Sequence, residues 1–203
     1  MQKTWTAAVG VAAACLLLAG CSTTPSNTPS SSASRSAASS APTASSTPSA
    51  TASSGSASGS TITGTGYRYT VPKGWAVPKT DVGQSQTDSL AADLTDTDGF
   101  SDNINVVKVK TGAVTPEQIE AQGPQQLKSA GFTKVSVEDR VKVAGVESAH
   151  ISALQGSGKY RVEQFYVIRK GEGYITTFSF SPDVSQSGRD AVADSVLGSW
   201  TWA

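Results

Sequence analysis

Large apolar side chains follow three regimes along this chain. They run together from Val9 to Leu18, are absent from Ser22 to Ser60, and from Thr61 onward recur with periods of two and of about 3.6 residues. The third regime predicts the folded part. Tyr67 to Val71 alternates aromatic and polar residues as a strand does and is stopped by Pro72 and Gly74. Leu90 to Leu94 and Asn103 to Lys110 predict two more strands. In the second of these, apolar parity changes between Val106 and Val107, which requires either a bulge or cover on both faces. Thr115-Pro116-Glu117-Gln118 combines a hydroxyl N-cap, proline at the first helical position and a capping-box glutamine, so a helix starts there and ends at Gly131. Ile119, Leu127 and Ala130 are its expected core positions, and Gly123-Pro124 is expected to kink or break it.

Four strands joined by short glycine turns follow, an antiparallel meander. Phe132 to Val143 places Val135, Val137, Val141 and Val143 on one parity, which predicts one wet face. Val146 to Leu154 buries Ala149, Ile151 and Ala153 and exposes Ser148, His150 and Ser152. Tyr160 to Arg169 is apolar on both parities, the mark of a central strand, and Tyr174 to Ser181 carries Phe178 and Phe180 on one face. Val192, Val196 and Trp200, beside Ala193 and Leu197, predict a closing helix laid on the sheet, with Trp202 pinning the last residues. The fold class expected is α+β, an antiparallel sheet of about seven strands with helices packed on it.

The first regime is an address. Lys3 precedes an apolar run too short to span a bilayer well, and the run ends in Leu18-Ala19-Gly20-Cys21. This resembles a bacterial lipobox, whose cysteine takes a diacylglyceryl thioether and, once cleavage leaves it at the N-terminus, an N-acyl chain. The expected organisation is a signal peptide over residues 1–20, a lipidated Cys21 with a linker to residue 60, and one domain over residues 61–203. Cys15 would leave with the signal, so no disulfide is expected in the mature chain. The linker contains only Ser, Thr, Ala, Pro and Gly apart from Asn27 and Arg35, a composition that cannot offset ordering entropy. As a flexible coil its ends would stand about 30 to 35 Å apart.

Charge narrows the function classes. Lys3 and Arg35 lie outside residues 61–203, which leaves 14 basic and 16 acidic side chains there. That balance predicts no nucleic-acid footprint and no polybasic patch for anionic lipid. With one histidine and no free thiol, Cys-His catalysis is excluded, any serine triad must use His150, and a zinc site lacks ligands. The run Asp93, Asp96, Asp98, Gly99 fails the register of a calcium-binding EF-hand loop. No catalytic, metal or cofactor residue is therefore expected. Trp75, Phe100, Tyr160, Tyr166 and Trp200 remain as candidates to line an apolar pocket between sheet and helix.

The order of elements, opening on Tyr69-Thr-Val-Pro72-Lys-Gly74-Trp75 and including Ala92-Asp93, Gly99-Phe100, Asn103-Ile104-Asn105-Val106 and Gln164-Phe165-Tyr166, resembles the actinobacterial LpqN-like lipoproteins. Their domain is similar to the PsbP-like or Mog-like α/β/α sandwich. The resemblance implies a non-enzymatic binding module, held by its lipid on the outer face of the cytoplasmic membrane, with an envelope protein or other envelope component as partner. The alternatives are a carrier of a lipid or other apolar small molecule and, behind it, a hydrolase.

Overall fold

The computed structural model describes residues 57–79 and 87–203. Among these, ten strands and two helices follow one another: β1 (Thr61–Gly64), β2 (Tyr67–Thr70), β3 (Trp75–Ala76), β4 (Ser89–Asp93), β5 (Asn103–Lys110), α1 (Pro116–Ser129), β6 (Phe132–Val143), β7 (Val146–Gln155), β8 (Arg161–Arg169), β9 (Glu172–Phe180), α2 (Gln186–Gly198) and β10 (Thr201–Trp202). Seven form one antiparallel sheet in the order β3-β4-β5-β9-β8-β7-β6, and β1-β2-β10 form a second, small one. The expected α+β class is thus what the chain forms. One strand changes place: Tyr67–Thr70 belongs to the small sheet, because the turn at Pro72 and Gly74 (φ 96°) redirects the chain before Trp75 joins β4.

The meander β6 to β9 forms as expected. Two of its hairpins close on two residues with positive φ, Ala144-Gly145 (46° and 83°) and Lys170-Gly171 (53° and 78°), the backbone that matches strand twist. On one face of the large sheet, Ile104, Val106, Phe165, Val167, Tyr174, Phe178 and Phe180 pack with Ala193, Val196 and Leu197 of α2 and with Tyr67, Tyr69 and Trp200. The register of β5 against β9 is continuous and both Val106 and Val107 are buried, so the parity change there reflects cover on both faces and no bulge.

The opposite face carries α1, capped reciprocally by Thr115 and Gln118. The helix runs unbroken through Pro124. Its buried residues are Ile119, Gly123 and Leu127, while Ala130 is the exposed C-cap. Gly123 is a close-approach position, since a Cβ there would run into Ile151 of β7.

Strand β6 departs most from its pattern. Three residues separate Thr133 from Ser136 and Glu138 from Val141 where β7 advances by two, so each interval contains a one-residue bulge. Val137 pairs with Ile151 and Val141 with Ser148, which places these two valines on opposite faces despite their equal parity. Val143 is fully buried and Val137 is 43% exposed.

At the start of the domain, Gly59 donates its amide to the Val71 carbonyl and Ser60 accepts from the Val71 amide, so both are hydrogen-bonded to the chain beyond β2.

Candidate functional site

Ser148, His150 and Ser152, predicted by strand parity as a wet face, lie instead on the face of the sheet against which α2 packs. Ser148 is fully buried and the His150 side chain is 12% exposed. His150 stacks on Phe165, its strand neighbour on β8, with ring centroids 4.1 Å apart. Its Nε2 lies 3.0 Å from Oε2 of Glu163, also on β8. Glu163 is almost wholly buried and accepts from Arg189 Nε at 2.8 Å through its other oxygen. Arg189 reaches it from the first turns of α2 and donates through Nη1 to the Val184 carbonyl at 2.7 Å. Three charged or chargeable side chains thus form one constellation between helix and sheet. Burial, with the Glu163 charge nearby, pushes the Asp190 carboxyl above its ordinary range; burial alone does the same for Asp194 against the pull of His150.

The hydroxyls beside His150 are committed elsewhere. Ser148 Oγ donates to the Ala149 carbonyl at 3.1 Å and Ser152 Oγ to Glu138 Oε1 at 2.6 Å. The arrangement holds a histidine against a carboxylate but aims neither serine at the imidazole; it links α2 to β7 and β8 through one buried carboxylate. Sequence reasoning missed Glu163 and Arg189. Two signals were available: Glu163 lies on a strand apolar on both parities, and Arg189 falls four residues before Ala193 on the buried stripe of α2.

The five aromatic residues expected to line one pocket lie in three places. Trp75 and Trp200 belong to the core under α2, where Trp200 stacks on Tyr67 at 4.5 Å and Tyr69 at 5.3 Å. Burial pushes the Tyr69 hydroxyl up to about 12, and that of Tyr67 further still; the two share Ser89 Oγ. Phe100 stacks on Tyr160 at 5.5 Å, at the end of the sheet where β5 begins. Tyr166 is buried on the other face and donates to Gln164 Oε1 at 2.6 Å, while Gln164 Nε2 donates to Thr177.

The acidic turn after β4 is built from its own backbone. Asp93 and Asp98 accept the amides of Thr95 and Phe100, and Asp96 those of Asp98 and Asp102. Asp102 accepts from the Ser181 amide at 2.7 Å, yet burial and then the charges of Asp96, Asp98 and Asp93 push its carboxyl up to about 6. Among the described residues, no cluster of three or more His, Cys, Asp or Glu side chains is placed to hold a metal ion. No described helix is long and apolar enough to cross a membrane. The lipobox Leu18-Ala19-Gly20-Cys21 lies outside the described residues.

No family model matches the chain, and neither does any curated protein. Among solved structures it is similar to the PsbP protein of the cyanobacterium Synechocystis, with TM-score 0.48 and 14% identity over 74% of this chain and 98% of that one. It is likewise similar to LpqN of Mycobacterium tuberculosis, a protein described as involved in cell envelope biogenesis, at TM-score 0.46 and 14% identity over 69% and 90% of the two chains. Mog1p, a Ran-binding protein of Saccharomyces cerevisiae, gives 0.44 and 9% over 68% and 90%. The chain spans 48% of a Bacteroides thetaiotaomicron protein, at TM-score 0.46 and 12% identity over 70% of this chain.

Proposed function

We propose that this protein is a cell-envelope lipoprotein whose domain, tethered by a lipidated Cys21, acts as a non-enzymatic binding module on the outer face of the cytoplasmic membrane. The observation that carries this reading is Leu18-Ala19-Gly20-Cys21 at the end of a secretory-type apolar run, followed by 39 residues of linker composition. The domain supports it from the other side. Its sole histidine is engaged by Glu163 and Phe165, and the serines flanking it donate elsewhere. An envelope protein or other envelope component is the partner in this reading.

Cys21→Ser tests it. The substitution keeps the apolar run and removes the sulfur that forms the thioether. The wild-type chain is expected to take up labelled fatty acid and to stay with the membrane, held by two or more acyl chains where one would bind only marginally. The variant is expected either in the medium or on the membrane as an uncleaved precursor, about 2 kDa heavier than the mature form. Variant protein on the membrane at mature size, with no label on the wild type, sinks the lipoprotein reading.

A further inference from the structure

Composition predicted no basic patch, but topology makes one. Lys108 and Lys110 end β5, Arg169 ends β8, and Lys170 forms the turn into β9, so four cations meet at one end of the sheet. In the register, Lys110 and Arg169 both pair with Glu172, and Lys108 pairs with Tyr174, which puts Lys108, Lys110 and Arg169 on the face that carries β10. At the centre stands Trp202. Its half-buried indole has the Arg169 guanidinium 4.9 Å from the ring centroid and Tyr174 at 5.0 Å, and its Nε1 donates to the Ala144 carbonyl. Lys108 lies 5.7 Å from the Tyr174 ring. Two carboxylates face the same group: Glu172, 3.9 Å from Lys108, and Asp88, whose charge Lys108 also feels. The turns Ala144-Gly145 and Lys170-Gly171 lie at this same end of the sheet.

We propose that this strand end is a docking face for an anionic phospholipid surface, the four cations meeting headgroup phosphates and Trp202 lying at the headgroup level. Cations in excess of carboxylates around a partly exposed indole are the chemistry of an interfacial anchor, in which the ring tolerates both the apolar and the wet side. The inference rests on the membrane tether proposed above. A tether of about 30 to 35 Å leaves the domain free to stand off the bilayer, and this face would give it a second, charge-dependent posture lying on the bilayer.

The test uses the full lipidated protein in vesicles of phosphatidylcholine alone or with phosphatidylglycerol, each containing brominated lipid that quenches nearby indoles. Trp75 and Trp200 are buried at 5% and 3% exposure, and comparison with Trp202→Phe isolates the signal of Trp202. Quenching of Trp202 is expected with phosphatidylglycerol, not with phosphatidylcholine alone, and is expected to vanish at 1 M salt, where the Debye length is about 3 Å. Lys110 and Lys170 are both exposed, so Lys110→Gln with Lys170→Gln is expected to leave the fold intact. The pair should lower the ratio of docked to free domain about 25-fold, at about fivefold per cation. Equal quenching in both vesicles, or an unchanged ratio in the double variant, overturns the proposal. Release of the domain by inorganic phosphate at constant ionic strength also overturns it, by assigning the patch to a free anion. Protein that leaves the vesicles altogether at 1 M salt overturns the tether itself, a separate outcome from loss of quenching on protein that stays bound.

Discussion

Each helix is tied to the sheet by an arginine that reaches glutamates, but the two ties sit in different media. Arg140 of β6 gathers Glu117 and Glu120 of α1 at 2.6 Å and Glu147 of β7 at 3.1 Å, with side-chain exposures of 27%, 64%, 22% and 52% in that order. Arg189 of α2 meets Glu163 at 2.8 Å with exposures of 9% and 4%. The outer network has more bonds and closer contacts, and it adds to a pull on the Glu117 carboxyl that comes first from the Thr115 side chain and then from a backbone amide, the three together holding it down to about 2. Number of bonds is nevertheless a poor guide to consequence. Water stands ready to replace every partner in the outer network, whereas water does not reach a carboxylate sealed under a helix, which without Arg189 keeps only the His150 ring.

The largest effect is therefore expected from Arg189→Ala, which leaves the Glu163 charge buried without its cation and should cost about 3 to 5 kcal/mol in a denaturant melt. Arg189→Met combined with Glu163→Gln should recover most of that loss, because the cost belongs to the orphaned charge. A combined variant as unstable as the single one would show that the ion pair itself holds α2.

Asp102 is an intermediate case, a carboxylate that burial and its acidic neighbours press toward the neutral form. Its folded value of about 6 lies above the ordinary 3.8, so its contribution is favourable below 3.8 and is lost as pH rises through about 6. Asp102→Asn keeps an acceptor for the Ser181 amide and removes the charge. It is expected to stabilise the protein at pH 7 by about 1 kcal/mol, after allowance for solvent screening, and to make no difference near pH 3. Melts at the two pH values check this, and equal effects at both would contradict the assignment.

The smallest effect is expected from Arg140→Ala. Its thermal midpoint should fall far less than that of Arg189→Ala, and 1 M salt should erase the difference from wild type. A loss as large as that of Arg189→Ala would end the contrast between the two media.

The same distinction explains what could be read from the residues alone. The capping box at Thr115 and the meander with its two-residue turns are local patterns, written within a few residues, and they appear in the fold where the sequence places them; the closing helix also forms, but it stops at Gly198, so Trp200 packs on the core from the segment beyond it, and Arg189 joins the buried stripe. The transfer of Tyr67–Thr70 to a second sheet follows the redirecting turn at Pro72 and Gly74 and a hairpin with β1, and the sheet is completed only by Thr201 and Trp202, residues far along the chain. The faces of β6 were misjudged because a single bulge between Glu138 and Val141 inverts everything after it. His150 was misplaced for a similar reason, since polar residues at alternate positions mean a wet face only when nothing charged is waiting on the element opposite. The aromatic residues were grouped by type, and type does not say which face or which end of a sheet a ring occupies. The lipobox is the reverse case, legible in four consecutive residues and independent of any fold.

The bulges of β6 also decide what this sheet can do to its neighbours. β6 is the long outer strand on its side, and a flat edge of 12 residues would offer incoming chains a template for growth. Each extra residue breaks the spacing of the outward amides and carbonyls, and Lys134 is held at φ 48° within the first bulge. Only Ser136 to Glu138 keeps regular geometry between the two interruptions. With Val141 to Val143 the only other stretch of that length beyond the second bulge, an incoming strand would meet a break in register after every three residues, so the bulges blunt this edge as a template for growth.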